Sequence, residues 1–435
     1  MTSTALAPAP LPAPVSAPPS PSASPGSGRD AAVDLARAWC LTVVVALHAV
    51  MVGVSVAAGA PVIENAMDGW SGFAALTWVA QVMPLFFVLG GFSSATQWTK
   101  LRTRGVRPHE YLAMRLRRLL PPALGAIAAC AAVLLALQAA GLPDALVAVA
   151  GFRLSQPLWF LGVYLLCTAL VPAMTALHRL APHAVLAGLA TVVAVVDGVR
   201  AASGVDAIGF VNLLAVWLLV QQFGFWLADG RFDGWSRARL VVTAAWSLAT
   251  LAALCGAGVF SPDLLQNLNP PTFALVLLGV AQLCGFLLVR GMLRRAHELP
   301  AIASVAGWVN ARAMTIYSWH MLVLIALAGV LLLTGGEALP APVTDAWWAT
   351  RPAWLLAAGL CVAGVVALAG RIETRTPRAP IATSSIGSRG LPTVALLLAA
   401  GGVLVVLLGG SAPVSWAIAV CMIATSLTMA RRTAA

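Results

Sequence analysis

Twelve apolar runs, each close to the ~20 residues that a helix rising ~1.5 Å per residue needs to cross a ~30 Å hydrocarbon core, constrain this chain more than any other feature. They fall at 31–56, 74–98, 119–140, 157–177, 184–200, 207–228, 239–260, 271–290, 313–334, 350–370, 391–409 and 413–430. Only 9% of the 435 residues are charged, against about 25% in soluble domains. So few charges cannot cover a water-soluble fold of this size, so lipid is the solvent. The expected fold is all-α, a polytopic transmembrane helix bundle of about 10–12 spans.

The net charge of +11 raises the question of nucleic acid, but the basic residues sit in short gaps between apolar runs. That is the pattern of cytoplasmic loops. With a cytoplasmic N-terminus, only Arg153, Arg200 and Arg351 of the 26 basic residues fall outside. The alternation predicts an even number of spans and two cytoplasmic termini in the cell membrane. The seven cysteines lie in apolar stretches without a Cys-x-x-Cys pair, so neither a disulfide framework nor a metal site is expected.

Residues 1–28 are nearly all Ala, Pro, Ser and Gly and read as a disordered cytoplasmic tail. No loop is long enough for an independent domain. The gap at 371–390 reads as a cytoplasmic loop, and 391–435 as two further spans.

Ionisable residues inside a span are expensive and are functional candidates by default. The first span carries Asp34, Arg37 and His48. Arg37 and His48 are about three turns apart and project from one face. Asp34 is placed to pair with Arg37 at i,i+3. That pair is equally an interfacial marker of where the helix enters the bilayer. His48, flanked by apolar residues, needs a partner or a cavity. In Arg115-Leu-Arg-Arg-Leu-Leu-Pro-Pro122, topology accounts for most of the arginines, while i,i+3 spacing lets Arg115 and Arg118 face one phosphate. Gly90 and Gly91 allow close helix packing, and Pro121 and Pro122 suit a first helical turn. Trp159 and Tyr164 open the fourth span and fit an interfacial belt, and His320 in the ninth suits structural hydrogen bonding.

In order and spacing these motifs resemble the acyltransferase 3 family of integral membrane acyltransferases. Asp-x-x-Arg opens the first helix and ten residues separate Arg37 from His48. Phe-Phe-x-Leu-x-Gly-Phe follows, then Arg-x-x-Arg-x-x-Pro, Trp-Phe-Leu and Ile-Tyr-x-x-His. The resemblance covers residues 29–370. The family commonly has Ser at Gly90 and about ten spans, and some members carry a fused hydrolase-like domain for which there is no room here. The resemblance implies acyl transfer, often of acetyl, from acyl-CoA to a hydroxyl of a carbohydrate, a lipid-linked glycan or a small molecule, with no permanently bound cofactor and no nucleic acid. It implies His48 as general base or transient nucleophile, Arg37 at the thioester or a phosphate, and Asp34 fixing Arg37. Arg115 and Arg118 would hold CoA phosphates, with Trp159, Tyr164 and His320 in support. A secondary transporter is the alternative of a different class, although the halves show no repeat of the Asp34, Arg37 and His48 trio. A non-catalytic scaffold would leave the buried charges unexplained.

Overall fold

The computed structural model describes residues 30–57, 60–371, 373 and 390–432. The expected tail at 1–28 and most of the expected 371–390 loop lie outside them. Twelve helical segments among the described residues are long and apolar enough to cross a membrane, giving a polytopic all-α bundle.

The first span is α1 (Ala31–Met51). The second is broken into α2 (Phe73–Ala80) and α3 (Met83–Thr103). The third is α4 (Pro108–Ala139), and the fourth is broken into α5 (Asp144–Ser155) and α6 (Leu158–Leu180). Then come α7 (Pro182–Ser203), α8 (Asn212–Ala228), α9 (Arg237–Gly256) and α10 (Phe273–His297). The short α11 (Pro300–Ala311) leads into α12 (Ala313–Gly335), followed by α13 (Asp345–Ala369). The last two spans, α14 (Leu391–Gly409) and α15 (Pro413–Arg432), pack on each other and against α4 and α6.

Two boundaries differ from the sequence expectation. The first helix stops at Met51, and β1 (Val52–Ala57) turns back to pair antiparallel with β2 (Ala60–Asn65). The stretch Val52-Gly-Val-Ser-Val is β-prone, and a Cβ on Gly53 would lie 2.8 Å from that of Ala66. His48 is therefore in the last turn of α1. The third helix starts at Pro108, not near residue 119, so Pro121 and Pro122 lie inside it. The Glu110 side chain accepts the Arg107 N–H at 2.9 Å and sets the earlier start.

At the start of α1, Asp30 caps the Ala32 N–H and takes hydrogen bonds from Arg290 (2.7 Å) and Arg294 (3.0 Å) of α10. Burial opposes ionisation of this carboxyl, but the two guanidiniums outweigh it and hold its pKa at about 2. Their stabilising effect is present above the ordinary carboxylate range and is lost only as the pH falls towards about 2.

Helices α3 and α8 meet backbone to backbone through Gly91 and Gly224. A Cβ on Gly91 would lie 2.4 Å from the Gln221 carbonyl oxygen, and one on Gly224 2.1 Å from that of Val88. Gly90 faces open space. Gly224→Ala is expected to force the helices apart and cost about 1–3 kcal/mol. Gly90→Ala should stay within about 0.5 kcal/mol of wild type. Thermal unfolding in detergent compares them.

Candidate active site

Three helix breaks meet around one cavity of about 1120 Å³. A break within a span, as at α2–α3 and α5–α6, frees backbone groups that hydrocarbon cannot solvate, so each must find a protein partner. At the α2–α3 break, Gln282 of α10 accepts from the Leu85 N–H (2.9 Å) and donates to the Gln81 carbonyl (2.7 Å). At the α5–α6 break, the Tyr317 hydroxyl donates to the Pro157 carbonyl and accepts the Leu161 N–H at 3.2 Å. At the α11–α12 break, the Glu373 carboxylate accepts from the Thr315 N–H (2.9 Å), the Thr315 hydroxyl (2.7 Å) and the Met314 N–H (3.3 Å). Gln81, Pro157, Tyr317, Met314 and Glu373 all line the cavity.

Arg37, His48, Arg115, Arg118, Trp159 and Tyr164, from three separated stretches of sequence, share this cavity. Arg37 reaches inward, with its guanidinium carbon 6.0 Å from the Phe86 ring centre and a buried Nε that has no partner among the described residues. Arg115 is 9% exposed and donates to Tyr164 (3.3 Å) and Gln97 (3.1 Å), while Arg118 is exposed. Tyr164 stacks on Phe160, and Trp159 on Trp217. Asp34 is not on the cavity wall, and no ion pair joins it to Arg37 among the described residues. The spacing expectation fails there because Arg37 turns into the cavity. The Asp34 backbone carbonyl instead accepts from Asn310 of α11 at 2.7 Å.

His320 lies behind His48, fully buried. The two rings meet through His48 Nδ1 and His320 Nε2 at 3.0 Å. Their centres are 5.1 Å apart with planes 23° apart, close to the N···N distance plus two ring radii, so they meet edge to edge. His320 Nδ1 faces the carbonyls of Tyr317 (2.7 Å) and Ile316 (3.2 Å). Carbonyls only accept, so this nitrogen carries the hydrogen. In a neutral ring His320 Nε2 is then the acceptor, and His48 Nδ1 donates to it. His48 Nε2 keeps its lone pair. A base poised in this way is what proton abstraction requires.

Sequence reasoning missed Glu373, Asn310, Gln81 and Tyr317 as parts of this wall. Tyr317 stood in a quoted motif, and Glu373 fell in the 371–390 stretch expected to be a loop. Nothing local in sequence marks the others.

The acyltransferase domain model of the acyltransferase 3 family matches residues 30–370. The chain belongs to this family of multi-pass membrane acyltransferases. No curated protein and no solved structure matches it. With His320 bonded to His48 Nδ1, His320→Ala is expected to lower kcat for acyl transfer about 10²-fold with the donor KM unchanged. His320→Gln, which still offers an acceptor, should recover part of the loss. Steady-state kinetics in proteoliposomes would read both.

Proposed function

We propose that the protein is an O-acyltransferase that moves an acyl group, typified by acetyl, from cytosolic acyl-CoA to a hydroxyl of a carbohydrate, glycolipid or small-molecule acceptor. One observation carries this reading. Three guanidiniums, Arg37, Arg115 and Arg118, line a mostly apolar cavity that reaches His48, and the single lining carboxylate among the described residues, Glu373, is occupied in capping α12. A cavity with unbalanced positive charge in a low-dielectric wall attracts an anion, and the CoA moiety is a polyanion. The excess of Lys and Arg on the loops of that side supports a cytoplasmic opening, where acyl-CoA is found.

Arg118 at the cavity edge and Arg115 further in would bind CoA phosphates, for which the guanidinium fork is suited. Arg37 would face the thioester. His48 Nε2 removes the proton from the acceptor hydroxyl, whose oxygen attacks the thioester carbonyl. The oxyanion that forms is stabilised by the Arg37 charge. The C–S bond then breaks, the acyl group stays on the acceptor as an ester, and the CoA sulfur leaves with the proton held by His48. No permanently bound cofactor is needed.

The expected outcome in proteoliposomes given labelled acetyl-CoA is covalent transfer or hydrolysis of the acetyl group. His48→Ala and Arg37→Ala should each lower turnover at least about 10²-fold. Arg118→Ala should raise the acetyl-CoA KM about tenfold, the loss of one charge-assisted contact, with little change in kcat. Wild-type turnover in folded His48→Ala and Arg37→Ala proteins would overturn the assignment. Solute uptake without any covalent change would favour a transporter.

A further inference from the structure

His48 lines two cavities. Besides the first, a second cavity of about 520 Å³ is bounded by His48, Pro157, Arg153 and Gln156, together with the end of α1 and Met321 of α12. The two cavities share only His48 and Pro157 among their lining residues. The second lies at the C-terminal end of α1, away from Arg118, Asn310 and Glu373 of the first.

Its polar groups are few. Asn65 is already engaged with the Met67 N–H and the Asp68 carboxylate. Arg153, in the last turn of α5, has no hydrogen-bond or ion-pair partner among the described residues, nor does Gln156. Arg153 is one of three basic residues that the charge pattern leaves on this side, and the other two are accounted for. Arg200 acts electrostatically on Asp197, and Arg351 lies 4.1 Å over the Trp347 ring. A half-buried guanidinium without a protein partner, beside an unengaged amide and next to the base, suits a ligand oxyanion.

We propose that the second cavity is the acceptor site and that Arg153, with Gln156, binds a carboxylate or phosphate on a hydroxyl-bearing acceptor. The acceptor hydroxyl then reaches His48 from the side opposite the donor. This rests on the acyltransferase reading, and the chemistry is the same: the hydroxyl oxygen gains the acyl carbon, the thioester C–S bond breaks, and the proton passes through His48 to sulfur.

The test uses the full chain in proteoliposomes with acetyl-CoA and two acceptor pairs, methyl glucuronoside with methyl glucoside and glycerol 3-phosphate with glycerol. In at least one pair the anionic member should have the lower KM, by about tenfold for one charge-assisted contact. The pair that responds tells carboxylate from phosphate. Arg153→Gln should raise that KM to the level of the neutral partner, leaving kcat and the acetyl-CoA KM unchanged, and Arg153→Lys should recover much of the preference. The proposal is overturned if the neutral members serve equally well in both pairs, if none of the four is acetylated while acetyl-CoA is turned over, or if the preference survives Arg153→Gln. Absence of any acetyl-CoA turnover in the wild type would overturn the acyltransferase reading itself, and this proposal with it.

Discussion

A peptide group inside hydrocarbon has no water to bond, so an interrupted transmembrane helix is stable only where another part of the protein completes its hydrogen bonds. Two of the three breaks at the cavity, α2–α3 and α5–α6, lie within spans and meet that condition, and the third stands at the start of the α12 span. Gln282, Tyr317 and Glu373 each reach from a distant stretch of chain to satisfy a break, at α2–α3, α5–α6 and α11–α12. The breaks widen the space between helices, and the side chains that satisfy them fix its walls.

Within those walls the charges are held unequally. Both Arg37 and Arg115 keep a buried Nε without a partner among the described residues, but the Nη groups of Arg115 are tethered by Tyr164 and Gln97 while Arg37 only approaches the Phe86 ring. An unsatisfied donor in a low-dielectric site is costly to leave bare, which is a physical reason for the cavity to favour an anion. The His48–His320 contact works differently. It sets which nitrogen of His48 bears hydrogen, and the setting originates in two backbone carbonyls of α12. A histidine in the last turn of one helix is thus oriented by the backbone of another.

The membrane class, the spans and the main charged residues of the site were legible in the sequence, because a bilayer imposes a fixed length and a penalty on charge that each segment records locally. Pairing was less legible. The i,i+3 spacing of Asp34 and Arg37 permitted an ion pair, yet Arg37 turns to the cavity and Phe86. The prolines at 121 and 122 looked like a helix start, but the Glu110 cap begins the helix earlier. Of two adjacent glycines, only Gly91 meets a neighbouring backbone closely.

The sequence by itself determined that the chain folds in lipid as a bundle of about 10–12 spans, that its first helix carries Arg37 and His48 on one face, and that its motifs belong to a membrane acyltransferase family. These properties depend on residues near one another along the chain. Only the tertiary structure decided that Arg37, Arg115 and Arg118 share one cavity, that His320 sets the hydrogen on His48, and that His48 also borders a second space beside Arg153. Such arrangements depend on how helices far apart in sequence rotate and break against each other, and no local pattern encodes that.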